Sequence, residues 1–113
     1  MNDCLFCKII AGEIPSTKVY EDDFVYAFLD IEPQAPFHAV VVPKVHITSA
    51  SEINSDNSMY VAKIYEAIAK IANLEKLDGG FRVVTNCGKD GGQTVGHLHF
   101  HLLARRYLQW PPG

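Results

Sequence analysis

The sequence has 113 residues, the size of one domain, and a chain of this length buries roughly two thirds of its unfolded surface without help from disulfides. Its three cysteines, an odd number, suit a reducing cytoplasm better than a secreted disulfide framework. A net charge of −3 argues against general nucleic-acid binding, no apolar run approaches a membrane-spanning length, and Met1-Asn2-Asp3-Cys4 lacks the basic start and apolar stretch of a signal peptide.

Asp3 is placed to cap a short helix over Cys4 to Ala11, which Gly12 ends. Ile14-Pro15-Ser16 is a break. Lys18 to Glu21 and Phe24 to Leu29 read as two short strands around an acidic turn. Asp30 to Pro36 contains two prolines and reads as a loop. Ala39-Val40-Val41-Val42 is continuously apolar and mostly β-branched, which predicts a central strand ended by Pro43. Ser55-Asp56-Asn57-Ser58 offers several N-caps. Beyond it Val61, Ile64, Tyr65, Ile68, Ile71 and Ala72 recur at three and four residues, the spacing of a long amphipathic helix. Gly79-Gly80 breaks the chain before two further strands, Phe81 to Thr85 and His97 to Leu103. The sum is an α+β fold: one domain over 1–113 with a five-stranded, mainly antiparallel sheet, one short helix and one long helix.

The last strand carries the chemistry. Gly96-His97-Leu98-His99-Phe100-His101-Leu102-Leu103-Ala104 holds three of the five histidines on alternate positions. In an extended chain His97, His99 and His101 share one face, about 7 Å apart, and Leu98, Phe100 and Leu102 share the other. Imidazole acts as nucleophile, acid, base or metal ligand near neutral pH, so the row reads as a catalytic site or a metal patch, with plain surface histidines on a half-exposed strand as the bland alternative. The preceding loop, Asn86-Cys87-Gly88-Lys89-Asp90-Gly91-Gly92-Gln93-Thr94, contains three glycines. It is either an ordinary hairpin loop or a nest of backbone N–H groups for an anion. Anion donors beside a histidine nucleophile suit chemistry at phosphorus. Cys4-Leu5-Phe6-Cys7 has the spacing of a zinc half-site; two reduced cysteines on a short helix, or a redox pair, are the alternatives, the last lacking a βαβ context. Cys87 shows no partner in the sequence and reads as incidental.

Taken together these segments resemble the histidine triad family, close to its Hint-like branch. The resemblance rests on His97-x-His99-x-His101 and on Ala27-Phe28-Leu29-Asp30-Ile31-Glu32-Pro33-Gln34-Ala35-Pro36 followed by His38. Val42-Pro43-Lys44-Val45-His46, Asn86, Asp90 to Val95, and the ending Trp110-Pro111-Pro112-Gly113 complete it. It covers nearly the whole chain. It implies hydrolysis of purine nucleoside 5′-phosphoramidates, with an AMP- or GMP-type nucleotide as substrate. His99 would be the nucleophile that forms a nucleotidyl-histidine, its Nδ1 proton held by a backbone carbonyl of the triad strand. His101 would hold a phosphate oxygen, His38 would support the triad from behind, and Thr94, where the branch usually has Ser, would stand near the leaving group. His97 would complete the triad. Asp30 would accept from the ribose hydroxyls, Phe28 and Ile31 would flank the base, and Phe6 with Leu5 and Ile9 would complete the apolar pocket. Asn86, Gly92, Gln93 and Thr94 would belong to the phosphate loop.

The same resemblance pairs Cys4 and Cys7 with His46 and His97 in a closed, structural zinc site, with no organic cofactor. If His97 takes metal, His99 and His101 carry the reaction. A homodimer through about Ser58 to Leu74 and Phe81 to Thr85 is also implied, with the tail from Leu108 reaching the neighbour's pocket. Val83 and Val84 would put apolar groups on both faces of an edge-like strand, which calls for cover. The alternatives are a dinucleoside polyphosphate hydrolase, against which the Trp-Pro-Pro-Gly ending speaks, a nucleotide transferase, which typically has Gln where His101 stands, and a zinc-dependent nucleotide-binding protein without turnover.

Overall fold

The computed structural model describes residues 3–113. Strands β1 (Lys18–Glu21), β2 (Val25–Leu29), β3 (Phe37–Pro43), β4 (Phe81–Val84) and β5 (Phe100–Ala104) form one sheet in the order β1-β2-β3-β5-β4. Every neighbouring pair is antiparallel. Helix α1 spans Leu5–Ile10 and helix α2 spans Ser58–Leu74, with a 3₁₀ turn at Ala50–Glu52 between β3 and α2.

The continuous apolar run of β3 has a simple cause: it is the middle strand, and all seven of its residues are buried. Strand alternation divides them between two cores. Ala39 and Val41, with Val25, Ala27, Phe100 and Leu102 from the neighbouring strands, pack with Ile64, Ala67, Ile68 and Ile71 of α2. Val40 and Val42, with Tyr26 and Phe28, pack with Phe6 and Ile9 of α1. The long helix therefore covers one face of the sheet and the short helix the other. Each fully buried Ile or Val contributes about 1.5–3 kcal/mol relative to an exposed one, so the α2 face carries most of the stability. Among the described residues no helix is long and apolar enough to cross a membrane.

Among the boundaries that differ from the sequence reading, three bear on the site. Cys4, not Asp3, caps α1: its Sγ accepts from Cys7 N–H at 3.3 Å. A thiol thus takes the place usually held by a hydroxyl or carboxylate, and it brings the two sulfurs to one end of the helix. β2 starts at Val25 because Asp22 Oδ1 accepts from both Phe24 N–H and Val25 N–H, which turns the chain there. β5 starts only at Phe100. Ahead of it, Leu98 N–H donates to Ile47 O, and the Thr85 hydroxyl donates to His99 O at 2.8 Å. The backbone of 97–99 is held by these partners and not by the sheet ladder.

Candidate functional site

Register places the site. Val40 stands opposite His101, and His38 stands opposite Leu103, two residues along. Directly opposed residues share a face, and diagonal neighbours are within reach of long side chains. His38 and His101 therefore meet on the α1 side of the sheet, with ring centroids 5.0 Å apart. His99, just before β5, sets its ring 5.1 Å from that of His101. His97 does not join them. Its buried ring turns toward the cysteines, 5.0 Å from the ring of His46. The expected row of three equally spaced imidazoles is thus a pair plus one, because the segment leaves the strand before His99.

Backbone partners decide which nitrogen of each ring carries its proton. His99 Nδ1 lies 2.7 Å from His97 O. A carbonyl only accepts, so Nδ1–H donates and Nε2 of the neutral ring keeps its lone pair. Gln34 N–H donates to His38 Nδ1 at 3.0 Å, so the proton of neutral His38 is on Nε2. That Nε2–H donates to His101 Nδ1 at 2.8 Å, with Asp30 Oδ2 3.5 Å away. His101 is left with its proton on Nε2. Two neighbouring rings thereby offer opposite groups, a lone pair on His99 and an N–H on His101. Burial is the main reason that His101 titrates at about 4, with the nearby His99 and His38 adding to it against the pull of Asp30. Burial likewise lowers His38, opposed by Asp30. Both rings are neutral near pH 7, as the proton assignment requires.

His99 and His101 line a cavity of about 360 Å³, within the range of small-molecule sites. Phe6, Ile9, Phe28, Val40 and Asp30 form much of the rest of its wall. The Phe6 ring meets His99 edge-on at 4.9 Å and Phe28 at 5.5 Å. Leu5, Ile31 and Thr94 also line it; Ile31 is 96% exposed and stands at the rim. Asp30 Oδ1 accepts from Glu32 N–H at 2.8 Å, which holds the carboxylate at the mouth.

Of the glycine-rich loop, Thr94 reaches this cavity. Asn86, Gly92 and Gln93 do not line this cavity. The Gln93 side chain is spent within the loop: Oε1 accepts from Gly88 N–H, and Nε2 donates to Thr48 O and Val95 O. Gln93 thus shapes the loop that presents Thr94. Gly91 is required there, since a Cβ would lie 2.4 Å from Cys87 O. The Ser49 and Ser51 hydroxyls and the Ser51 and Ala50 backbone hold the exposed Cys87 thiol below its ordinary value.

A second constellation lies on the other side of His97. His97 Nε2–H donates to Pro43 O at 3.0 Å, which leaves Nδ1 as a lone pair 3.3 Å from Cys4 Sγ and 3.5 Å from Cys7 Sγ. His46 Nδ1 is 3.4 Å from Cys7 Sγ. The ligand atoms of Cys4, Cys7, His46 and His97 all lie within 4.8 Å of one another. Adjacent sulfur and nitrogen ligands of a tetrahedral zinc are about 3.6 Å apart, given usual bond lengths. The donor set therefore fits zinc. Asp30, His38 and His101 also gather within 4.8 Å, but that group fits a metal poorly. Coordination at His38 Nε2 would move its proton to Nδ1, directly against Gln34 N–H. The first cluster is a cage and the second a proton-bearing chain.

Nothing in the sequence had singled out Gln34. The one available signal is that Pro33 and Pro36 remove N–H donors from this loop, so that Gln34 and Ala35 supply those that remain between them.

A family model, the HIT domain, matches residues 11–108. The chain belongs to the HIT domain family. It is 46% identical over 119 residues to a 14 kDa zinc-binding protein of Brassica juncea, covering 98% of this chain and 100% of that one. A HIT family hydrolase from Legionella pneumophila superposes with a TM-score of 0.95 at 48% identity, covering 98% and 100% of the two chains. A histidine triad nucleotide-binding protein from Candida albicans superposes with a TM-score of 0.85 at 37% identity, covering 96% and 83%. The five-stranded antiparallel sheet with one short and one long helix is thus the HIT fold, as the sequence implied.

Proposed function

We propose that this HIT protein hydrolyses purine nucleoside 5′-phosphoramidates, of the Hint-like type, through a nucleotidyl intermediate on His99. The observation that carries the reading is the pairing of a lone pair on His99 Nε2 with an N–H on His101 Nε2 in one cavity. His99 Nε2 attacks the α-phosphorus, forming one P–N bond while the P–N bond to the amine breaks. The Thr94 hydroxyl stands on the leaving-group side and accepts from the N-protonated amine, which departs neutral with the electron pair of the broken P–N bond. His101 Nε2–H donates to a phosphate oxygen as negative charge concentrates there. The positive charge that develops on His99 strengthens its Nδ1–H bond to His97 O, an interaction worth more in the transition state than before it. Water then attacks phosphorus, and the P–Nε2 bond breaks to restore neutral His99; one water proton stays on the nucleotide and the other passes to the released amine.

Phe28, Phe6 and Ile31 suit a purine base, and Asp30 suits the ribose hydroxyls. Zinc held by Cys4, Cys7, His46 and His97 would fill a closed four-ligand site, which is structural and supplies no chemistry to phosphorus. Its bearing on the reaction is through His97, whose ring would hold metal while its carbonyl holds His99. The names of the Brassica, Legionella and Candida relatives support the zinc, hydrolase and nucleotide parts of this reading respectively. A homodimer fits the edge position of β4 and the exposure of Tyr65, Phe81 and Trp110, and the odd cysteine count fits a cytoplasmic location. The deciding experiment is incubation with adenosine 5′-phosphoramidate, acid quench and mass spectrometry. An AMP adduct on His99 is expected. Turnover with no adduct there, or binding of the nucleotide without turnover, would overturn the mechanism.

A further inference from the structure

We propose that Arg106 is a positioning residue for the reaction, which sets the proton arrangement of His38 and His101 by fixing the backbone of Gln34. The proposal rests on the reading that His101 donates an N–H to phosphate. Arg106 follows β5 by two residues and reaches 72 positions back along the chain. Its Nε and Nη2 both donate to Gln34 O, at 3.2 and 3.0 Å. Its Nη1 donates to Tyr107 O at 3.0 Å. The neighbouring Arg105 pairs with Glu75. Arg106 has no carboxylate partner among the described ion pairs, and these three N–H groups go to backbone carbonyls. A planar guanidinium with two N–H groups on one oxygen fixes direction as well as distance.

The direction matters because of what Gln34 does at its other end. The loop from Asp30 to Pro36 is tied internally by Glu32 N–H to Asp30 Oδ1 and by Gln34 Nε2 to Glu32 O, at 2.8 and 3.0 Å. Those bonds hold its first half. Arg106 holds the carbonyl of Gln34, and the N–H of the same residue is the donor that assigns His38. Without that donor only Asp30 Oδ2, 3.5 Å from Nε2, still favours a proton there, and neutral His38 also takes the tautomer with its proton on Nδ1. Its Nε2 would then face His101 Nδ1 with a lone pair, and His101 would have to donate from Nδ1. The nitrogen toward the cavity would become an acceptor and would repel a phosphate oxygen. Arg106 therefore acts through two intermediaries on the sign of the group offered to substrate. Because its bonds are solvent-exposed, the same contacts contribute little to global stability.

The test uses Arg106→Met, which keeps the stem and removes the donors, and Arg106→Lys, which restores one donor. Long-range ¹H–¹⁵N spectra of ¹⁵N-histidine protein read the protonated nitrogen of each ring directly. The intact protein should show protons on Nε2 of His38 and His101. Arg106→Met should show averaged nitrogen shifts for both rings, kcat for adenosine 5′-phosphoramidate about tenfold lower, KM within about twofold, and a melting temperature within about 4 °C of the parent. Arg106→Lys should recover part of both the spectra and kcat. Native ring tautomers in Arg106→Met would overturn the proposal, whatever happens to the rate. The spectra need no substrate, so a failure of the phosphoramidase reading alone would leave the tautomer result standing and distinguishable.

Discussion

His99 Nδ1 sits 2.7 Å from the carbonyl oxygen of His97, so the ring that faces the cavity is anchored by the backbone of the residue whose ring faces the cysteines. One residue thus joins the two constellations, by its main chain to one and by its side chain to the other. Loss of whatever holds the His97 ring should therefore be felt at His99.

Metal removal tests this link. Protein purified without chelator should hold about one zinc per chain by elemental analysis. Zinc at a thousandfold above its Kd would stabilise the fold by about 4 kcal/mol, so chelation should lower the melting temperature clearly. It should also lower kcat more than it raises KM, because the His97 carbonyl loses its fixed position. Zinc-free protein with unchanged melting and unchanged kcat would remove the metal from the account.

His99→Ala should abolish turnover while leaving the fold intact. The ring is buried but makes a single polar contact, so the stability cost should stay near 1–2 kcal/mol. A loss of at least about a thousandfold in kcat, equivalent to about 4 kcal/mol of barrier, is expected for the nucleophile. Retention of a tenth of the parent rate, measured by release of AMP, would assign the attack to another group.

Much of this arrangement was legible in the sequence, and the exceptions share a cause. The valine run of β3 and the three-and-four spacing of α2 are local patterns, and they mark the middle strand and the covering helix directly. Cys4, Cys7, His46 and His97 were gathered by resemblance, and their ligand atoms do converge. The division of the histidines was legible only by resemblance, which set His97 with the cysteines, and not from the alternation itself. Alternation at 97, 99 and 101 looks the same whether or not the segment is in the sheet, and the departure depends on Ile47 O and the Thr85 hydroxyl. The use of the Gln93 amide was hidden for a similar reason: it finds Thr48 O, a partner 45 residues away. Gln34 meets Arg106 across 72 positions, a contact that no local pattern marks.

Stability should fall as pH drops from about 6.5 toward 4. In the folded chain burial lowers His101 to about 4 from 6.5, and His38 is lowered too. The unfolded chain therefore binds more protons in this window, so stability is fully present above about 6.5 and is lost as pH falls through the folded values. His101 is partly open to solvent, which reduces its share to about 2 kcal/mol. Urea titrations at pH 7 and pH 4.5 should show the loss, and His101→Gln should show a smaller one. An identical slope in His101→Gln would mean that the loss arises at other groups.

The tail from Leu108 should serve a neighbouring copy of the chain. Arg82 on the edge strand β4 donates Nη2 to Leu108 O and Nη1 to Gln109 O, both at 3.0 Å, and its guanidinium lies 5.8 Å from the Trp110 ring. Trp110 nevertheless remains 77% exposed, and Phe81 of the same edge strand and Tyr65 of α2 are exposed too. A held but uncovered tryptophan calls for a surface to meet, as does an edge strand with apolar side chains. Two prolines stiffen the chain beyond it, so little entropy is lost when it docks. Sedimentation velocity at micromolar concentration should give a dimer. Truncation before Trp110 should change kcat/KM between small and bulky amine leaving groups by about tenfold, about 1.4 kcal/mol, with global stability nearly unchanged. A monomer, or a truncated protein with unaltered preference among amines, would assign the tail no part in the site.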